Sequence, residues 1–237
     1  MSRQITFEVI PVIHISSGRV IRWEGDHFVR CHGIESNPLS LALHWVGQGA
    51  TQIHVVDLDA VNNRVSAVPA LMLALKNFPV RMSLAGGIHS LGVAKERLSY
   101  GISPLVVGSL LDSPAILEKV VSSLGTQNVW GSIDVTRGRL PWARLHNAIN
   151  AGLNTLVLTA RSPDILATGD ILRFIEDRTR DGISIWASGQ IREYQDLLTM
   201  ARAGCRGALL SRALHEGALT IDGVVRTISR DTGPKTA

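Results

Sequence analysis

His14 and Asp134 are the residues whose types and placement best suit chemistry. Each closes an apolar run: Ile10-Pro11-Val12-Ile13 leads into His14, and Val129 to Ile133 into Asp134. A neutral imidazole and a carboxyl group brought to one small molecule suit proton transfer. Plainer roles compete, a hydrogen-bonded rim histidine and a loop-capping carboxylate. Four small-residue turns offer anion binding: Gly86-Gly87, Gly108-Ser109, Ser188-Gly189 and Ser211-Arg212. Such turns bring backbone N–H groups and a helix N-terminus toward a phosphate, and Arg212 adds a charged donor. Glycine there also simply makes a tight turn. Thr159 and Asp164 have the groups to bond sugar hydroxyls, and Arg22 is an anion contact or a surface charge. Asp57 and Asp59 fit helix caps or rim ion pairs. No metal site is expected: His27, Cys31 and His32 lack ligand spacing and read as three exposed polar residues, while His54 lies inside a strand and reads as structural.

The elements that must position these residues are eight short, β-branched, apolar runs. They are predicted near Val9–Ile15, Gln52–Asp57, Val80–Leu84, Leu105–Val107, Val129–Val135, Thr155–Thr159, Ile183–Ala187 and Gly207–Leu210. Amphipathic helical segments follow them, at Pro38–Gly47, Val68–Lys76, Leu91–Ser99, Ala115–Leu124, Trp142–Ala151, Gly169–Arg180, Tyr194–Ala203 and Leu219–Ile228. Continuous apolar strands alternating with helices mean a parallel sheet covered by helices, and eight such units predict a closed (β/α)8 barrel. Residues 1–230 are expected to form this one α/β domain, with a disordered tail over 231–237.

The two halves resemble each other, as a duplicated half-barrel would. Ile13-His14-Ile15 matches Ile133-Asp134-Val135 at an offset of 120 residues, with Gly18-Arg19-Val20 matching Gly138-Arg139-Leu140. Ala85-Gly86-Gly87 matches Ala187-Ser188-Gly189 at 102, Asp57 matches Thr159 at 102, and Val107-Gly108-Ser109 matches Leu210-Ser211-Arg212 at 103. The offset drops by 18 between the fifth and sixth strands, so the loop after the fifth is much shorter than its counterpart at Val20 to Asn37. Opposite strands put His14 and Asp134 across one mouth, with a phosphate subsite in each half. The first-half subsite keeps more of its glycines.

Composition sets the class. At 237 residues, 45% hydrophobic and 19% charged, the chain can bury one sizeable core. An excess of 24 Lys+Arg over 20 Asp+Glu, scattered and without basic runs, speaks against nucleic-acid binding. It agrees with an anionic metabolite as the partner. Cys31 and Cys205 stand apart with no pairing motif, which points to free thiols in a reducing cytoplasm. No apolar run is long enough to span a membrane. Oligomeric state is not legible.

In order along nearly the whole chain, these motifs resemble the HisA/HisF family of histidine biosynthesis, HisA more than HisF. The likeness runs through Ile10–His14, Gly18–Arg22, His54-Val55-Val56-Asp57-Leu58-Asp59-Ala60, Gly86-Gly87-Ile88, Val107-Gly108-Ser109, Ser132–Val135, Ala187-Ser188-Gly189 and Arg212-Ala213-Leu214. It implies an isomerase that converts a bis-phosphorylated aminoaldose to an aminoketose without metal or organic cofactor. It also implies a two-phosphate ligand spanning the mouth. Several positions depart from the family. His14 replaces the family's basic aspartate, whereas the acid is retained as Asp134. His89 replaces an arginine, Gln190 and Ser211 replace glycines, and Asp164-Ile165 stands where Asp-Gly is usual. The covering loop after the fifth strand is short, with Trp142 its remnant or merely the start of a helix. The resemblance therefore carries two expectations: an isomerase with an altered acid–base pair, or a non-catalytic barrel that binds a phosphorylated metabolite or a protein partner.

Overall fold

Glu8–Ser16, β1, pairs on one side with Gln52–Asp57, β4, and on the other with Gly207–Leu210, β10, parallel in both cases. Between them run Arg81–Ala85 (β5), Leu105–Val107 (β6), Val129–Val135 (β7), Thr155–Ala160 (β8) and Ser184–Ser188 (β9). Each is parallel to the next, so in this computed structural model eight strands close into a (β/α)8 barrel. The structure describes residues 7–24, 27–136, 139–162 and 165–232.

Strand alternation separates two cores. Ile13 and Ile15, Ile133 and Val135, Leu158 and Ala160 face outward into the layer beneath the helices. Ile10, Val12, Val106, Val157, Trp186 and Leu209 face inward, with Val56, Ala85 and Trp130 beside them. Trp130 and Trp186 stack with centroids 5.1 Å apart, filling the lumen between β7 and β9. Gly207 makes room for them: a Cβ there would come within 2.6 Å of the Trp186 ring. His54 is buried in the same lumen and shares a 3.0 Å hydrogen bond with Ser83. Its structural reading holds.

The helices are α1 (Pro38–Gly47), α2 (Leu58–Val61), α3 (Val68–Leu75), α4 (Leu91–Ser99), α5 (Pro114–Leu124), α6 (Trp142–Asn150), α7 (Gly169–Arg180), α8 (Tyr194–Arg202), α9 (Arg212–His215) and α10 (Ile221–Thr232). The short α2 and α9 were not legible as helices, being single turns with no room for a periodic pattern. Asp231 and Thr232, expected in the tail, instead complete α10, where Asp231 pairs with Arg202 at 2.6 Å; residues 233–237 lie outside the described residues.

Two further expectations are corrected. The segment after β1 is no plain loop: Arg19–Glu24 (β2) folds back on β1 and His27–Arg30 (β3) on β2, both antiparallel. Cys31 is buried, its N–H donating to Val20, so it is not an exposed neighbour of His27 and His32. The register also refines the duplication. Gln52 faces Arg81 as Thr155 faces Ser184, and Val56 faces Ala85 as Thr159 faces Ser188, all 103 residues apart. Asp57 therefore corresponds to Ala160 and Gly86 to Gly189, one residue from the sequence matching. Since alternate residues point to opposite faces, that single step decides which side chains reach the mouth.

Candidate active site

The last inward rung of the barrel holds His14, Val56, Ala85, Asp134, Thr159 and Ser188, all in the same strand parity as the inner-core side chains. Gly108 and Ser211 follow in the same parity beyond Val106 and Leu209. His14 lies level with Val56 and Asp134 level with Thr159, which sets the two residues on matching rungs of opposite strands. In every matched pair the second half is the more polar: Thr159 against Val56, Ser188 against Ala85, Ser211 against Gly108. The mouth thus has an apolar side and a hydroxyl-bearing side.

His14 is closed in more tightly than a rim base needs. Phe28 of β3 leans on it with ring centroids 5.7 Å apart, and its Nδ1 is buried without a hydrogen-bond partner. Burial, helped by nearby His215 and Arg161, pushes its pKa down to about 4. The imidazole is therefore neutral at pH 7, but a weaker base than an ordinary histidine. His215, at the end of α9, is likewise lowered, chiefly by burial, with Arg22 of β2 contributing. In β2, Arg22 lies opposite Val29 of β3. His215 packs edge-on against buried Trp45.

Asp134 is not free to face a ligand alone. Arg161, just past β8, clasps it with two bonds, Nε to Oδ1 at 2.9 Å and a second guanidinium nitrogen to Oδ2 at 3.0 Å. The Arg161 N–H also donates to the Val135 carbonyl at 3.2 Å, carrying the β7–β8 pairing one step further. Sequence reading missed Arg161, His215 and Phe28. No local motif marks any of them, and Arg161 meets a partner 27 residues away in the chain.

The turns divide by what their glycines do. Gly86 and Gly87 have φ of 106° and 69°, and Cβ atoms there would lie 2.3 Å from the Asp57 carbonyl oxygen and 2.5 Å from the Ala60 Cβ. Gly189, φ 75°, sits in the same way 2.3 Å from the Ala160 carbonyl oxygen, and Gln190 after it keeps a φ of 54° where the first half has Gly87. Packing alone demands these three glycines. Gly108 is different: its φ is −109°, and a Cβ would meet nothing nearer than 4.0 Å. Among the described residues, no packing contact requires glycine there. Ser109 opens a short 3-10 turn, Ser211 precedes α9, and Arg212 reaches Glu216 at 3.7 Å. Asp164 lies outside the described residues.

Asp57 caps α2 and accepts from Ser66, while Asp59 accepts from the Ser17 and Gly18 N–H groups and pairs with Arg64 at 3.2 Å. Both aspartates hold the rim together. Trp142 packs outside the barrel on Phe174 of α7, as the start of a helix. Among the described residues no cluster of three or more His, Cys, Asp or Glu could hold a metal ion, and no helix is long and apolar enough to cross a membrane.

The histidine biosynthesis protein family model matches residues 8–220, from β1 to the edge of α10. The chain belongs to the histidine biosynthesis protein family. Within this family, a relative from Corynebacterium diphtheriae is 30% identical over 92% of this chain and 97% of its own length. One from Prochlorococcus marinus is 27% identical over 93% of each, and one from Halothermothrix orenii 26% identical over 91% of this chain and 97% of its own. All three are named imidazole-4-carboxamide isomerases, with two phosphoribosyl groups in the name of the compound.

Proposed function

We propose that this chain is a HisA-type isomerase of histidine biosynthesis or a paralogous pathway, converting a phosphoribosyl aminoaldose to its aminoketose by an Amadori rearrangement. The observation that carries this is the pairing of His14 with Asp134 on matching inward rungs of opposite strands, in a chain whose relatives are named as such isomerases. In the reaction Asp134 gives its proton to the ring oxygen as the ring C–O bond breaks and the neighbouring nitrogen forms a C=N bond. His14 then takes the C2 proton, the C–H electrons forming a C1=C2 bond as the C=N pair returns to nitrogen, and the enol so formed gains a proton at C1 and loses its hydroxyl proton to give the ketone. The ligand is a small phosphorylated metabolite. One phosphate lies over the Gly87 and Gly108-Ser109 turns, the other over Ser188-Gly189 and Ser211-Arg212, with Arg22 nearby. Thr159 and Asp164 bond sugar hydroxyls. The enzyme works in the cytoplasm, the compartment suggested by Cys31 and Cys205 standing far apart in the sequence with no pairing motif.

The clasp of Arg161 on Asp134 and the weak basicity of His14 favour a second reading, a barrel that binds the phosphorylated compound and turns it over slowly or not at all. Steady-state turnover of the relatives' phosphoribosyl substrate separates them, alongside a thermal-shift titration with the same compound. Slow turnover abolished by Asp134→Asn supports the isomerase. A melting shift without turnover supports the binding barrel, and neither signal overturns both.

A further inference from the structure

Arg161 has geometry that a static structural ion pair does not need. Its side chain is 55% exposed and that of Asp134 38% exposed, so water reaches both partners of the clasp. A pair of this kind exchanges easily, because exposure leaves little net energy in it. Arg161 also lies one residue beyond Ala160, whose carbonyl oxygen is the surface against which the Gly189 turn is packed. An anion over that turn is therefore a neighbour of Arg161. The same side of the mouth carries the hydroxyl groups of Thr159, Ser188 and Ser211, where the opposite side has Val56, Ala85 and Gly108. Thus the polar end of a ligand is drawn to the half in which Arg161 stands. A planar guanidinium serves a phosphate as well as a carboxylate, through the same two-bond fork.

We propose that Arg161 is a positioning residue with two alternative partners: in the empty site it holds the Asp134 carboxylate, and a phosphate at the second-half turn takes the guanidinium over and so releases Asp134. While the clasp is closed, both carboxylate oxygens are engaged as acceptors. Once the guanidinium turns to the phosphate, Asp134 is open to protonation and to the ligand's ring oxygen. Occupancy by the anion is then the signal that arms the acid. This rests on the phosphate reading of the site given above.

The test is a titration of inorganic phosphate by calorimetry at low ionic strength against four proteins: the unmodified chain, Asp134→Asn, Arg161→Gln and the double variant. Asp134→Asn should tighten phosphate, because asparagine cannot hold the guanidinium by charge. Arg161→Gln should weaken it, by about tenfold for one charge-assisted contact. The double variant decides the mechanism. If Asp134 acts only as a repelling charge, its removal tightens phosphate equally with or without Arg161; if it acts by holding Arg161, the gain vanishes in the Arg161→Gln background. Equal gains, or no effect of Arg161→Gln, overturn the proposal while leaving the phosphate site standing. Absence of phosphate binding in all four proteins overturns the phosphate reading itself, and this proposal with it. Both side chains are exposed, so the variants should fold, which their melting temperatures check.

Discussion

Arg161 grips Asp134 with two nearly parallel bonds, 2.9 and 3.0 Å long, across the ends of neighbouring strands. The candidate acid is thereby held as a hydrogen-bond acceptor on the side of the mouth facing His14. Turnover of the phosphoribosyl substrate should be slow for two other reasons, the weak basicity of His14 and the short loop between β7 and α6. Asp134→Asn should lower whatever rate is present by about 10²–10⁴, the usual worth of a positioned acid. Restoring the family residue by His14→Asp should not recover full activity, because the covering loop after β7 remains short. Full complementation of a histidine auxotroph by the unmodified gene would show that neither feature limits the reaction.

Acid should destabilise the fold through His14 and His54. Burial lowers His14 to about 4 and His54 to about 3, both from 6.5. The unfolded chain then takes up these protons at a higher pH than the native one. Stability is fully present above about pH 6.5 and is lost as pH falls toward 4. The loss is on the order of a few kcal/mol for each ring. Urea unfolding between pH 7.5 and 4.5 measures it, and histidine NMR titrations should show both rings still neutral at pH 5.5.

Glycines of the rim should separate into two kinds. Gly86→Ala and Gly189→Ala place a Cβ 2.3 Å from a carbonyl oxygen at positive φ and should cost about 3 kcal/mol or more. Gly108→Ala meets open space at ordinary φ and should change stability by less than about 1 kcal/mol. Its effect should fall on phosphate affinity instead. Denaturant curves and phosphate titrations on the three variants test this contrast; a stable Gly189→Ala protein would contradict the packing described.

The lumen has its own test. Trp186→Ala removes a buried indole from the stacked pair in the lumen and should cost about 3–5 kcal/mol. Gly207→Ala pushes a methyl group toward that same ring, and chemical denaturation should show it destabilised as well.

Much of this molecule is determined locally and so is legible in the sequence. Eight apolar runs, helices between them and paired turns define a barrel, because a parallel strand must be apolar on both faces and a covering helix on one. The same alternation sends His14 and Asp134 to one rim. A duplicated chain also carries its own ruler, since the repeat sets these residues on opposite strands. Only the tertiary structure decided the rest. The step from 102 to 103 residues is set by strand register, which depends on how Gly86 and Gly189 pack against a neighbouring strand's end. The clasp on Asp134 joins residues from successive strands whose side chains carry no shared pattern. His14 is weakly basic because it is buried beside His215 and Arg161, and Phe28, from a hairpin that read as a loop, packs against it. Burial and ion pairing arise between segments distant in the chain, so they are properties of the packed barrel and not of any stretch within it.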